Sequence, residues 1–150
     1  MSIASFAEHL NEVRGDVRAK GELRRGLPLA GGHILPHVEE GHDVAAFALV
    51  VELFAIHPGV RGGRSLGVAY RRLIEAIPPT QESRREMYSH RFTALLSASR
   101  EALPGHMRHA VALCEQHRQP IDWAQLLADV LAWEDDDRAV QRRLARELWG

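Results

Sequence analysis

Cysteine is all but missing from this 150-residue chain, where Cys114 stands alone. A single thiol closes no internal disulfide, which fits a reducing, cytoplasmic setting. Lysine is as scarce: Lys20 is the only one, so eighteen of the nineteen basic residues are arginine. No apolar run approaches the ~20 residues that cross a bilayer. Met1, Ser2, Ile3 and Ala4 open the chain without a basic region and an apolar stretch. Neither an export signal nor a membrane partner is therefore expected. No segment alternates polar and apolar residues as a half-buried strand does.

The apolar residues recur instead with helical period. Ser5 and Glu8 form a capping box for a first helix carrying Phe6, Leu10 and Val13. Residues 17–27 read as a second helix with Leu23 and Leu27 inward, and residues 34–40 as a short turn. The stretch 42–56 is apolar on every face, with Glu52 its only internal charge, which places it at the centre of a bundle. A loop with Gly59, Gly62 and Gly63 follows. Leu66, Tyr70, Leu73 and Ile77 then mark a helix that Pro78 and Pro79 stop. The next helix starts near Gln81 or Ser83 and carries the stripe Tyr88, Phe92, Leu95 and Leu96. Residues 104–117 turn Met107, Ala110, Val111 and Cys114 inward. Asp122 caps a helix bearing Trp123, with Gln125 completing the box, and residues 134–137 supply the turn and cap of a last, arginine-rich helix. Trp123, Trp133 and Trp149 read mainly as core, with stacking on a base open to one left exposed. The expected fold is all-α: a single domain, a bundle of about eight helices in two small lobes, about 1–79 and about 80–150.

Net charge is −1, yet its distribution is uneven. Residues 58–118 hold ten arginines against five acids, a net of +5, and the flanking segments are each −3. A basic middle between acidic ends suits a local anionic groove rather than a sticky surface. Guanidinium groups are planar, permanently charged and shaped for phosphate oxygens. Several on one surface would hold a sugar–phosphate backbone without reading bases. Against this, arginines beside apolar stripes are commonly solvated or paired with Glu75, Glu86 or Glu147, and arginine-favouring codons give the same composition.

Catalytic constellations are weak. His42-Asp43 imitates the pair of an HD-type metal-dependent phosphohydrolase, but His33 and His37 stand too near for ligands on separate helices. His106 and His109 are three apart on one helix. No H-E-x-x-H and no cysteine pair supports zinc, and no serine sits in a nucleophile elbow. The loop from Gly59 to Ser65 lacks the lysine and spacing of a phosphate loop. No catalytic residue, metal or cofactor is expected.

Seven segments, in order, resemble the CasB family, the small subunit of the type I-E CRISPR Cascade complex. They are Leu23-Arg24-Arg25, the apolar helix around Phe47 and Phe54, and Ser65-Leu66-Gly67. Arg91-Phe92-Thr93-Ala94-Leu95-Leu96 and Met107-Arg108-His109 follow. Ile121-Asp122-Trp123-Ala124-Gln125-Leu126-Leu127 with Trp133 comes next, then the helix 142–149. The resemblance implies an all-helical, non-enzymatic protein. Its implied partners are other Cascade subunits, a second copy of itself, guide RNA and target DNA. It implies support of the guide–target heteroduplex and the displaced strand through arginine–phosphate contacts, with sequence read by base pairing. Basic positions of the family match at Arg24, Arg25, Arg91, Arg108 and Arg143, and Arg64 and Arg100 join them as candidate nucleic-acid contacts. The chain is on the short side, and the acidic run 134–137 stands where a more basic turn is expected, which weakens the expected contact of the C-terminal lobe. The near-neutral charge leaves a second class open, an adaptor that bridges protein partners with little nucleic-acid contact.

Overall fold

The computed structural model describes residues 6, 8–10, 12, 43–58 and 62–150. The helix expected over 17–27, the turn over 34–40, Ser5 of the first capping box, and Gly59 and Arg61 lie outside the described residues. Phe6, Glu8, His9, Leu10 and Glu12 are helical. Six further α-helices occur among the described residues: α1 (Val44–Ile56), α2 (Leu66–Glu75), α3 (Glu82–Leu96), α4 (Leu103–Gln116), α5 (Trp123–Leu131) and α6 (Ala139–Trp149). A 3-10 turn, Pro79–Gln81, precedes α3. The fold is all-α, and no strand occurs among the described residues beyond one isolated bridge.

The helix that is apolar all round lies where its composition demands. Asp43 starts α1, its Oδ1 accepting from the Ala46 backbone N at 3.0 Å. Phe47, Leu49, Val50, Val51, Leu53 and Phe54 are all buried, and α1 packs on both α4 and α5. Each such side chain contributes roughly 1.5–3 kcal/mol of transfer free energy. Two edge-to-face pairs fix its rotation: Phe47 against Phe6 at 5.1 Å and Phe54 against Trp123 at 5.6 Å.

The other stripes close around it. Leu66, Tyr70, Leu73 and Ile77 are buried, as are Tyr88, Phe92, Leu95 and Leu96 on α3 and Met107, Ala110, Val111 and Cys114 on α4. Among the described residues the most extensive helix pair is α2 with α6. It is possible because Gly67 has no side chain: a Cβ there would lie 2.9 Å from the Leu144 carbonyl oxygen and 2.8 Å from Glu147 Cβ. Trp133 is buried, and its Nε1–H donates to the Ala98 carbonyl at 3.0 Å. One continuous apolar cluster extends from Phe6 to Leu148.

The segment between α1 and α2 is tied to the start of α5. His57 is buried, with Nε2 2.7 Å from the Gln119 carbonyl oxygen, so that nitrogen carries the donated hydrogen. At the other end, Arg64 N donates to Pro120 O at 3.1 Å, and Asp122 N donates to Arg64 O at 2.9 Å. Gly63 permits the approach, since a Cβ there would sit 2.1 Å from the Ile121 carbonyl carbon. These bonds set the position from which Arg64 projects.

Three local expectations differ in detail. Asp122 does cap α5, accepting from Gln125 N at 3.1 Å, but the Gln125 side chain donates to Asp129 at 2.9 Å instead of returning to the cap. Before α6 the N-cap position falls to Arg138, held at φ +51°, while Asp137 Oδ1 accepts from Ala139 N at 3.2 Å. Trp149, expected in the core, is 53% exposed and meets Phe92 edge-on at 6.3 Å.

Candidate nucleic-acid interface

Arg24 and Arg25 lie outside the described residues. The other five candidate arginines divide by what holds them. Arg64 is exposed at the end of the pinned loop, and among the described residues no hydrogen bond or ion pair holds its side chain. It precedes α2 rather than joining it, so it shares no helical stripe with Arg71. Arg71 pairs with Glu75 at 3.0 Å. Arg91 is exposed on α3, with its guanidinium carbon 5.9 Å from the centroid of the Tyr88 ring. A cation–π contact of this kind orients the group and leaves its N–H donors free.

Arg100, Arg108 and Arg143 are in ion pairs within the chain. Arg100 reaches Asp43 at 3.4 Å. Arg108 grips Glu52 with two hydrogen bonds, 2.6 and 3.2 Å. Arg143 holds Asp129 at 2.5 Å, and its Nε lies 3.3 Å from Glu147 without hydrogen-bond geometry. The first two pairs join α3–α4 surface to α1. The third belongs to a polar chain that joins α2, α5 and α6, because Ser65 Oγ donates to Glu147 at 2.6 Å. Arg64 and Arg143 therefore flank one network, and Arg100 and Arg108 flank α1, while Arg91 stands apart over Tyr88.

These pairs are not equivalent. An exposed ion pair is worth about 0–1 kcal/mol, because solvent screens it, so its arginine can be taken over by a phosphate. Arg108 fits that description, with a side chain 47% exposed. Its hydrogen bond to Glu52 raises the pKa of a group already charged at any working pH. Asp129 is the opposite case: it is 2% exposed, and burial pushes its carboxyl pKa up against the hydrogen bonds from Gln125 and Arg143 that pull it down. Arg143 cannot leave it without stranding a buried carboxylate.

Other arginines serve the fold. Arg85 donates to the Ile77 carbonyl at 2.9 Å and Arg138 to the Leu96 carbonyl at 2.8 Å, satisfying carbonyls just past α2 and at the end of α3. Arg84 bonds Gln81 and the Tyr88 hydroxyl, both at 3.2 Å. Arg142 and Arg146 are exposed one turn apart on α6. Arg91 also shares the wall of a cleft of about 260 Å³ between α3 and α4 with His106 and His109, a meeting that spacing along the chain does not reveal.

Cys114 is fully buried, and burial pushes its thiol pKa to about 12, which suits a core residue. His33, His37 and His42 lie outside the described residues, and no group of three or more potential metal ligands occurs among the described ones. No helix among the described residues is long and apolar enough to cross a membrane.

The class so defined is a small all-α protein with arginines distributed over several helices, some open and some paired. The family model described as CRISPR-associated protein Cse2 matches residues 15–149, and the chain belongs to that family. A CRISPR-associated protein Cse2 of Thermus thermophilus is 31% identical over 160 residues, 97% of this chain and 88% of that protein. The crystal structure of CasB from Thermus thermophilus superimposes with a TM-score of 0.80 at 31% identity, covering 100% of this chain and 99% of that one. A chain of a CRISPR RNA-guided surveillance complex shares the fold at 18% identity, with a TM-score of 0.78 over 98% of this chain and 90% of that one.

Proposed function

We propose that this chain is a non-catalytic subunit of a type I-E CRISPR surveillance complex acting in the cytoplasm. It packs beside other Cascade subunits and a second copy of itself. Its arginines hold phosphates of the guide RNA–target heteroduplex and of the displaced DNA strand. Base pairing supplies the sequence specificity, and protein contacts to the backbone tip a nearly balanced strand exchange. The observation that carries this reading is that Arg64 and Arg91 are exposed and meet no carboxylate among the described residues, in a member of the family. The likeness to a chain of an RNA-guided surveillance complex supports the setting. Arg108 and Arg100 join when phosphates displace Glu52 and Asp43. Arg24, Arg25 and Arg143 complete the proposed set, with Arg143 offering only the part of its guanidinium that Asp129 leaves free.

Replacing Arg24, Arg91 and Arg108 together by Ala tests the proposal in the assembled complex. Target binding should weaken for every sequence. The slope of log affinity against log salt should shrink by about 0.7–0.9 for each phosphate that is no longer neutralised. A folded triple variant that binds target like the parent across a salt series removes these positions from the interface.

A second reading, an adaptor that bridges protein partners, is favoured by one observation: Arg100, Arg108 and Arg143 already have carboxylate partners in the chain. Crosslinking within an assembled complex separates the two. Nucleic-acid crosslinks support the first reading, and exclusively protein crosslinks support the second.

A further inference from the structure

Of the three tryptophans, Trp123 and Trp133 are buried. Trp149, at the end of α6, is the most exposed large apolar side chain among the described residues, at 53%. Leaving that much indole in water forgoes burial energy. Its one ring contact among the described residues is with Phe92, whose plane lies 81° from its own. A perpendicular neighbour covers at most one face of the indole, and at this exposure the other is open. The neighbours of Trp149 on the same side of α6 are cationic. At about 100° per residue, Arg142, Arg146 and Trp149 fall within about 60° of one another, opposite the buried Gln141, Leu144 and Leu148. Both arginines are exposed, and neither has a hydrogen bond or ion pair among the described residues. Glu147 lies outside that arc and is held by Ser65 and Arg143. The acidic run 134–137 starts the same helix, but Asp137 is about 18 Å of helix axis from Trp149. That is about two Debye lengths at physiological salt, so its charge is largely screened there.

An open π-face beside two unpaired cations complements an anionic ligand that carries aromatic rings. The C-terminal end of a helix disfavours anions. A neutral base therefore belongs on Trp149, and its phosphates belong one to two turns back, beside Arg146 and Arg142. We infer that Trp149 is a stacking platform for an unpaired base of single-stranded nucleic acid, flanked by Arg146 and Arg142. This rests on the nucleic-acid function proposed above. It adds a contact with a base, made by a residue outside the proposed phosphate-holding set. The contact is tolerant of sequence, because every base has a π-face to offer. Bases inside a duplex are already stacked on their neighbours, so the platform favours the displaced strand over the heteroduplex.

The test uses the full-length chain and two single-stranded probes of equal length and charge: oligothymidylate, and an abasic deoxyribose-phosphate backbone. Because the other two tryptophans are buried, the long-wavelength edge of the fluorescence emission reports Trp149. Saturating oligothymidylate should quench that edge, and the saturating abasic backbone should not. Oligothymidylate should also bind about tenfold more tightly, the size expected from one stacked base. Both probes should show the same salt slope, since their phosphates are alike. Trp149→Leu keeps an apolar side chain without a ring and should bring oligothymidylate down to the abasic affinity. Trp149→Phe restores a ring and should keep part of the preference. Helical circular dichroism checks that both variants are folded, and the quenching of the unaltered chain needs no variant.

Equal affinity of the two probes, without quenching, overturns the platform and leaves the phosphate function standing. Failure of both probes to bind at low salt overturns both. A folded Trp149→Leu chain that keeps the full preference for oligothymidylate also sinks the platform, because the base is then seated elsewhere. So does quenching that requires partner subunits and not nucleic acid, which makes Trp149 a protein contact.

Discussion

Arg108 on α4 closes a two-toothed grip on Glu52 of α1, Nε to Oε1 at 2.6 Å and a terminal nitrogen to Oε2 at 3.2 Å. The pair bridges residues 56 positions apart, and both ends reach solvent. A partner that brings a phosphate must displace a carboxylate of like charge and similar shape. Glu52 is thus an internal competitor for the group proposed to hold nucleic acid. Glu52→Gln removes the competing charge. It should tighten nucleic-acid binding by a few-fold and steepen the salt slope by up to about 0.9, the share of one phosphate. The cost in stability should stay below about 1 kcal/mol, because the pair is exposed. Binding titrations at two or more salt concentrations, with urea unfolding as the control, check this. Unchanged binding removes Arg108 from the interface.

Gly67 is a point of close approach between α2 and α6. A methyl group there would press on the Leu144 carbonyl oxygen at 2.9 Å, which is helix backbone and cannot swing aside. It would also displace the Glu147 carboxylate that accepts from Ser65. Alanine normally stabilises a helix relative to glycine by about 1 kcal/mol. Here overpacking outweighs that gain, and Gly67→Ala should destabilise the chain by about 1–3 kcal/mol. Chemical denaturation gives the number. A stabilised variant means that the two helices slide apart at no cost.

The Asp129–Arg143 pair makes stability depend on pH in an unusual direction. Burial raises the Asp129 pKa above the ordinary aspartate value, so the folded chain binds this proton more tightly than the unfolded chain does. Its contribution to stability is full below the ordinary value and disappears as pH rises through the raised pKa. Arg143→Ala removes two of the influences that hold the pKa down, its hydrogen bond and its charge, and so widens the window upward. The variant should be less stable by about 3 kcal/mol near pH 7, the lower end for a broken buried pair, because Arg143 itself is a third exposed. It should recover part of that deficit as pH falls through the raised pKa, where protonation of the stranded carboxyl relieves its burial. Thermal unfolding of both chains over that range reads the difference. A deficit that stays constant with pH means that Asp129 is not charged in the parent at neutral pH.

Local chemistry was legible in the sequence, and partnership was not. The stripe Tyr88, Phe92, Leu95 and Leu96 is buried as its spacing requires, and Asp122 caps α5, because both follow from residues within one or two turns. Gln125 leaves its own cap for Asp129, since a buried carboxylate on the same helix needs a donor more than a solvated N-terminus does. By residue type Asp129 belongs on the surface, and its burial depends on an arginine 14 positions away. Arginine content is plain from composition, but which arginines stay open depends on whether another helix brings a carboxylate opposite. Arg108 meets Glu52, and Arg91 lies over Tyr88 with no carboxylate among the described residues opposite it, although both flank apolar stripes in the same way. Trp149 differs from Trp133 for a similar reason. Both tryptophans follow helical spacing, yet the Ala98 carbonyl accepts from the indole N–H of Trp133, whereas Trp149 meets Phe92 edge-on and stays half exposed.

Cys114 provides a reporter of whether the chain unfolds as one unit. It is fully buried on α4, the helix that touches α1, α2 and α3, and lies in the cluster that extends from Phe6 to Leu148. Its thiol pKa near 12 leaves almost no thiolate at neutral pH, and thiolate is the reactive form. In the folded chain a thiol reagent should therefore react orders of magnitude more slowly than with an exposed cysteine. We propose that residues 1–150 form a single domain whose two lobes share this core. Labelling of Cys114 across a urea series should then follow the same midpoint as loss of helical circular dichroism, as expected of one cooperative transition. If the lobes separate first, Cys114 labels at a lower urea concentration than the helices melt, because opening α4 towards α1 and α2 exposes it while α3 and α6 keep their hydrogen bonds. The two midpoints, measured on the same samples, distinguish a shared core from a hinge between independent halves.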